Sequence, residues 1–160
     1  MKSNKTERGQ SLVEFAISLT IILFLLAGAV EFGMALFQYI QLRDAAQEGA
    51  LYGSICPHNP ATSDAIEQRV RNAANAPLDL TVTSGPNAVT VTVEGRDKTT
   101  GTVKTWGSLI PGDGIYVEAS YNHQIFMPFV PAFIGSATIP IRVFVVDTIL
   151  DTDTTKPECQ

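Results

Sequence analysis

The chain has 160 residues, with 11 Lys+Arg against 16 Asp+Glu for a formal net charge of -5, and it is 45% hydrophobic but only 17% charged. That length allows one modest domain, and the apolar composition excludes disorder over most of the chain while leaving room for a membrane-embedded part. An acidic chain with no basic run lacks the Lys/Arg surface that neutralises phosphates, so nucleic acid is excluded as a partner.

The charges are laid out in order. Lys2, Lys5 and Arg8 face a single Glu7 at the start; from Gly9 to Leu42 the only charges are Glu14 and Glu31; from Arg43 onward the balance is acidic. Residues 15–30, FAISLTIILFLLAGAV, are uncharged, and with Leu12, Val13 and the stretch 32–37 the apolar run exceeds the ~20 residues that a helix needs to span a bilayer. The basic flank lies on the N-terminal side alone, so the expected topology is single-pass, N-terminus in the cytoplasm and the remainder outside. A cleaved secretory signal is disfavoured because the apolar run outlasts a signal core and no small-residue cleavage site follows. A buried helix of a soluble protein is disfavoured by the basic head and the long Lys/Arg-free run.

Beyond the span the pattern stays helical. Gly28, Phe32, Ala35, Tyr39, Leu42, Ala46, Gly49 and Gly53 alternate spacings of four and three, which places them on one seam. A helix over 10–53 is on the order of 60 Å long, about twice the hydrocarbon thickness, so half of it stands outside. Small residues on the seam permit close backbone approach, and between Gly28 and Ala35 a partner helix is the expected neighbour. From Leu42 to Gly53 a partner helix and the chain's own following domain are equal alternatives. Glu31, near the outer end of the span, reads as an interfacial, solvated carboxylate.

The prolines and Asn of 54–60 mark a loop, and a short helix follows, with Asp64 as cap, Glu67 three residues on, an apolar stripe of Ile66, Val70, Ala73 and Ala74, and Pro77 as its stop. The period then drops to two: residues 78–83 and 89–94 read as paired strands across a Ser84-Gly85-Pro86-Asn87 turn. Further strands are expected at 101–106, 115–121 and 138–147, Pro140 restricting that end of the last to a sheet edge or a first position. Residues 126–133 are apolar but broken by Pro128 and Pro131, and read as a covering loop or an interfacial turn. The expected fold is α+β: a long N-terminal transmembrane helix extending outward, packed on a small antiparallel sheet. The organisation is a basic leader at 1–9, the helix at 10–53, an extracytoplasmic domain at 54–150 and a polar tail at 151–160.

His58 and His123 are isolated in sequence, and Cys56-Pro57-His58 is too short for a zinc pattern, so no metal or cofactor is expected. No nucleophile motif or phosphate-cradling loop is present, and no enzyme activity is expected. Cys56 and Cys159, both outside the cytoplasm, are expected to be bonded to each other, the alternative being two free thiols.

Arg8-Gly9-Gln10-Ser11-Leu12-Val13-Glu14-Phe15, then Val30-Glu31-Phe32-Gly33, then residues 41–50, QLRDAAQEGA, resemble the TadE-like family of minor pilins and pseudopilins. The resemblance implies a component of tight-adherence (Flp-type) pilus machinery. It implies a prepilin peptidase that cuts after Gly9, leaving Gln10 as the new N-terminus. Glu14, fifth in the mature chain, would pair with the α-amino group of an adjacent subunit, since a carboxylate in a bilayer is costly without a partner. The implied partners are the membrane, that peptidase, other pilin or pseudopilin subunits and the assembly platform. Read from the residues alone, an anchored extracytoplasmic binding module without a pilus role is the alternative.

Overall fold

The computed structural model describes residues 5–56, 62–127 and 130–150. A helix of 51 residues, α1 (Lys5–Ile55), is free of proline throughout, and its last turn is closed by Cys56 N–H donating to Tyr52 O at 3.0 Å. Pro57 follows in the sequence and cannot extend the ladder. A second helix, α2 (Thr62–Asn72), packs beside the outer end of α1. It begins two residues before the expected cap, so Asp64 lies inside its first turn, where its charge favours the positive end of the helix dipole.

Four antiparallel strands follow: β1 (Val89–Arg96), β2 (Val103–Lys104), β3 (Gly114–Gln124) and β4 (Thr138–Thr148), in the spatial order β2-β1-β3-β4. Val89 pairs with Tyr121 and Arg96 with Gly114; Gly114 also pairs with Thr148, and Gln124 with Thr138. The period of two places Ile115, Val117, Ala119, Tyr121 and His123 on one buried face of β3, with Glu118 and Asn122 exposed on the other. Helices α1 and α2 cover the buried face. The core joins Leu42, Ala45, Ala46 and Ala50 of α1 and Ile66 and Val70 of α2 to Val89, Ile115, Val117, Ala119, Ile141 and Val143 of the sheet. The architecture is therefore the expected α+β arrangement of one long helix on a small antiparallel sheet. Pro140 lies on β4, an edge strand, where the missing N–H need not be shared with two neighbours.

Residues 78–83 depart from the expected strand. Leu78 and Leu80 are buried as the alternation requires, but the backbone is irregular and contributes one ladder-like bond, Val89 N–H to Val82 O at 2.8 Å. Leu80 N–H and Val82 N–H donate to the backbone carbonyls of Ala74 and Asp79, and side chains satisfy several of the other groups. Gln41 donates to Leu78 O at 2.6 Å and accepts from Leu78 N–H at 3.2 Å; Arg71 Nη1 donates to Leu80 O at 3.1 Å and Val89 O at 3.2 Å. Asp79 accepts from Thr81 N–H and Oγ1, folding a turn where a strand was predicted. The segment expected to form a strand at 101–106 is strand only over β2, and a 3₁₀ turn at Trp106–Ser108 succeeds it. Within the apolar stretch 126–133, a single helical turn begins, α3 (Val130–Ile134).

Strand β3 runs antiparallel to α1. A Cβ on Gly53 would meet Ile115 at 2.9 Å, near the start of β3, whereas His123, near its end, reaches Gln38 and Glu31. The β3–β4 connection is therefore the part of the sheet domain lying nearest the apolar half of α1.

Candidate functional site on the long helix

The lower half of α1 is uncovered. Among the described residues one helix is long and apolar enough to cross a membrane, and its most apolar window has no buried residue. Gly9, Gln10, Val13, Glu14, Ile17 and Ser18 line a shallow concavity near its start. A Cβ on Gly9 would meet nothing within 4 Å, so no contact in the described structure requires glycine there. Glu14 is exposed and, among the described residues, makes no hydrogen bond or ion pair. A carboxylate on an apolar helix with no partner among the described residues is a group for which water, lipid headgroups or another chain can supply one.

Higher on the helix, the predicted seam divides. Leu42, Ala46, Gly49 and Gly53 are buried against α2 and the sheet, with Ala35 half-buried below them. The glycines leave little room: an added Cβ would approach Val70 Cγ2 to 2.5 Å at Gly49 and Ile66 Cδ1 to 2.6 Å at Gly53. The chain's own domain thus occupies this part of the seam. Gly28, by contrast, has nothing within 4 Å of an added Cβ, and Phe32 and Tyr39 remain 70% and 41% exposed.

The stripe that faces the domain passes through Glu31 and Gln38 rather than Phe32 and Tyr39. His123, fully buried on β3, sits between them, with Nδ1 2.7 Å from Gln38 Oε1 and Nε2 2.8 Å from Glu31 Oε1. Phe126 N–H donates to both Glu31 oxygens at 3.2 Å. Glu31 is only 12% exposed, which replaces the expected solvated carboxylate with one held by its own domain. The pair escapes a residue-by-residue reading because its members are 92 positions apart. The one local signal is the seven-residue interval between Glu31 and Gln38, which places them on the face shared with Ala35 and Leu42.

At the far end of the domain, Lys104 Nζ lies 2.9 Å from both Asp97 Oδ2 and the fully buried Asp113 Oδ2. Asp113 also accepts from the N–H groups of Lys98 and Ile110. Burial alone would raise the Asp113 pKa, but the bonds from Lys104, Ile110 and Lys98 outweigh it and hold the carboxyl below its ordinary value. Asp97 is lowered by Thr100 N–H, Lys104 and Thr99 N–H, and Lys104 is raised by Asp113 and then Asp97. Nearby, Leu150 N–H donates to Ser54 O at 3.1 Å and ties the end of the sheet to the end of α1. Cys56 is buried and disulfide-bonded, and its expected partner, Cys159, lies outside the described residues, as do His58 and the leader residues 1–4.

A long helix, uncovered along its apolar half and packed along its outer half by its own small antiparallel domain, defines a helix-anchored α+β protein. The family model described as TadE-like protein matches residues 9–51, which is the α1 segment from the candidate cleavage site to the packed glycines, and shows the TadE-like resemblance over that length. No curated protein matches the chain, and no solved structure matches it.

Proposed function

We propose that the chain is a membrane-anchored minor pilin or pseudopilin that takes part in assembling a tight-adherence, type IV-like pilus through packing of α1. The observation that carries this reading is the coincidence of the TadE-like match at 9–51 with a helix half that its own domain leaves bare, Glu14 included. In this reading a prepilin peptidase cuts between Gly9 and Gln10 and removes the basic head that holds the N-terminus in the cytoplasm. The new amine at Gln10 and the carboxylate of Glu14 then pair between adjacent subunits, where an unpaired charge in apolar surroundings is expensive. Gly28, Phe32 and Tyr39 remain available to neighbouring helices, whereas Leu42, Ala46 and Gly49 serve the domain interface. Cys159, the other of the 2 cysteines, is the proposed partner of Cys56, and the bond would fasten the tail to the end of α1.

Intact-mass analysis of the protein from its own host, in cells with an active prepilin peptidase, tests the first step. The expected species begins at Gln10, and Gly9→Leu abolishes it. Glu14→Ala is expected to stay in the membrane with its domain folded but to be depleted from sheared filaments. A wild-type protein that retains residues 1–9 and never travels with filaments would instead identify an anchored binding module.

A further inference from the structure

We propose that the β3–β4 connection is a second membrane contact, in which Phe126 and Ile134 enter the outer leaflet beside α1. Residues 15–30 are uncharged but cover only about 24 Å at 1.5 Å per residue, short of the ~30 Å hydrocarbon core. A span beginning at Phe15 therefore continues past Glu31 to about residue 35. Glu31 does not oppose this, because His123 and Phe126 N–H satisfy its carboxylate on the domain side. Leu36 and Phe37 above it are 47% and 57% exposed, so the apolar surface continues outward. Tyr39, with its apolar ring and polar tip, lies eight residues above Glu31, at the height where headgroups are expected.

Phe126 is hydrogen-bonded to Glu31 through its backbone and so lies at the same height, yet its side chain is 70% exposed. Ile134 is 53% and Ile139 40% exposed in the same connection and the adjoining start of β4. Not one charged residue occurs between Gln124 and Ile141. The opposite end of the domain also exposes apolar side chains, Val103, Ile110 and Leu150, but it differs in charge: Asp97, Lys104 and Asp113 cluster there, near the ends of β1, β2 and β3. An apolar, uncharged tip at the height of a membrane span, on a domain whose charged cluster lies at the other end, fits insertion into an interface, with exposed apolar side chains ~5–10 Å into the leaflet. The contact would set the domain against the membrane at two points, α1 and the tip, and so restrain its swing about the helix. The inference requires only the membrane span and is independent of whether the chain later enters a filament.

The chain's single tryptophan, Trp106, lies in the 3₁₀ turn at the polar end and serves as a distal reference. Full-length Trp106→Phe/Phe126→Trp protein, reconstituted in phosphatidylcholine–phosphatidylglycerol vesicles with and without brominated phosphatidylcholine, is compared with the wild type. Trp106→Phe/Ile134→Trp provides a second position, and far-UV circular dichroism confirms the fold of each. The expected result is that the indole at 126 or 134 loses about half of its emission to brominated lipid and is shielded from aqueous acrylamide, as an interfacial side chain should be. Trp106 in the wild type should show the opposite response. Quenching at both positions by acrylamide but not by bromolipid would place the tip in water, and quenching by neither would place it under another protein chain; either outcome overturns the proposal.

Discussion

Two glutamates on one helix meet opposite fates, and the difference lies in what faces them. Glu14 has no partner among the described residues, whereas Glu31 is held by His123 and Phe126 N–H. His123→Ala is therefore expected to destabilise the domain by about 3 kcal/mol, since it strands the polar groups of Glu31 and Gln38 in a buried site. Thermal unfolding of the purified protein in detergent measures this, with Glu14→Ala unchanged as the control. Asp113 supplies a pH test. Its folded pKa is depressed, so its contribution is complete above the unfolded carboxylate value of about 4 and is lost as pH falls through the lower folded value. Asp113→Asn should lower the unfolding midpoint near neutral pH and flatten its decline below about pH 4, as read from melting curves across that range.

At the scale of elements, α1 performs two tasks along one seam. Its outer glycines are places where α2 and β3 approach the backbone, while Gly28 is open. Gly49→Ala and Gly53→Ala must displace Val70, Ile66 or Ile115, and each is expected to cost about 1–3 kcal/mol, beyond the ~1 kcal/mol that alanine returns as a better helix former. Gly28→Ala should leave the unfolding midpoint unchanged or slightly raised. If Gly28 meets a neighbouring helix, the same substitution lowers recovery in filaments, so measuring midpoint and filament content together separates the two uses of the seam.

For the whole molecule, the charged cluster of the domain, Asp97, Lys104 and Asp113, lies away from the apolar half of α1 and the uncharged tip lies toward it. The basic head of Lys2, Lys5 and Arg8 predicts a cytoplasmic N-terminus, and on that topology protease added outside spheroplasts should digest the sheet domain and leave an α1 fragment in the membrane. Full protection of the domain would reverse the topology. The domain itself is expected to unfold in one cooperative step, because α1, α2 and three of the strands contribute to one core.

The long apolar helix, the period-two strands of the sheet and the TadE-like start were legible in the sequence because each rests on local composition or short spacing. The face of α1 that meets the domain was not. A seam chosen by size and hydrophobicity selects Phe32 and Tyr39, and a shift of one residue turns a helix by about 100° to Glu31 and Gln38. Two polar residues can face inward only when something satisfies them, and here that is His123, 85 and 92 positions away. For the same reason residues 78–83 alternate like a strand without forming one: Gln41, 37 positions from Leu78, and Arg71, on α2, take up backbone groups that a neighbouring strand would have paired. Periodicity determined which segments carry apolar faces, and only the tertiary structure decided which polar groups could be buried with them, because that depends on partners brought together by the fold.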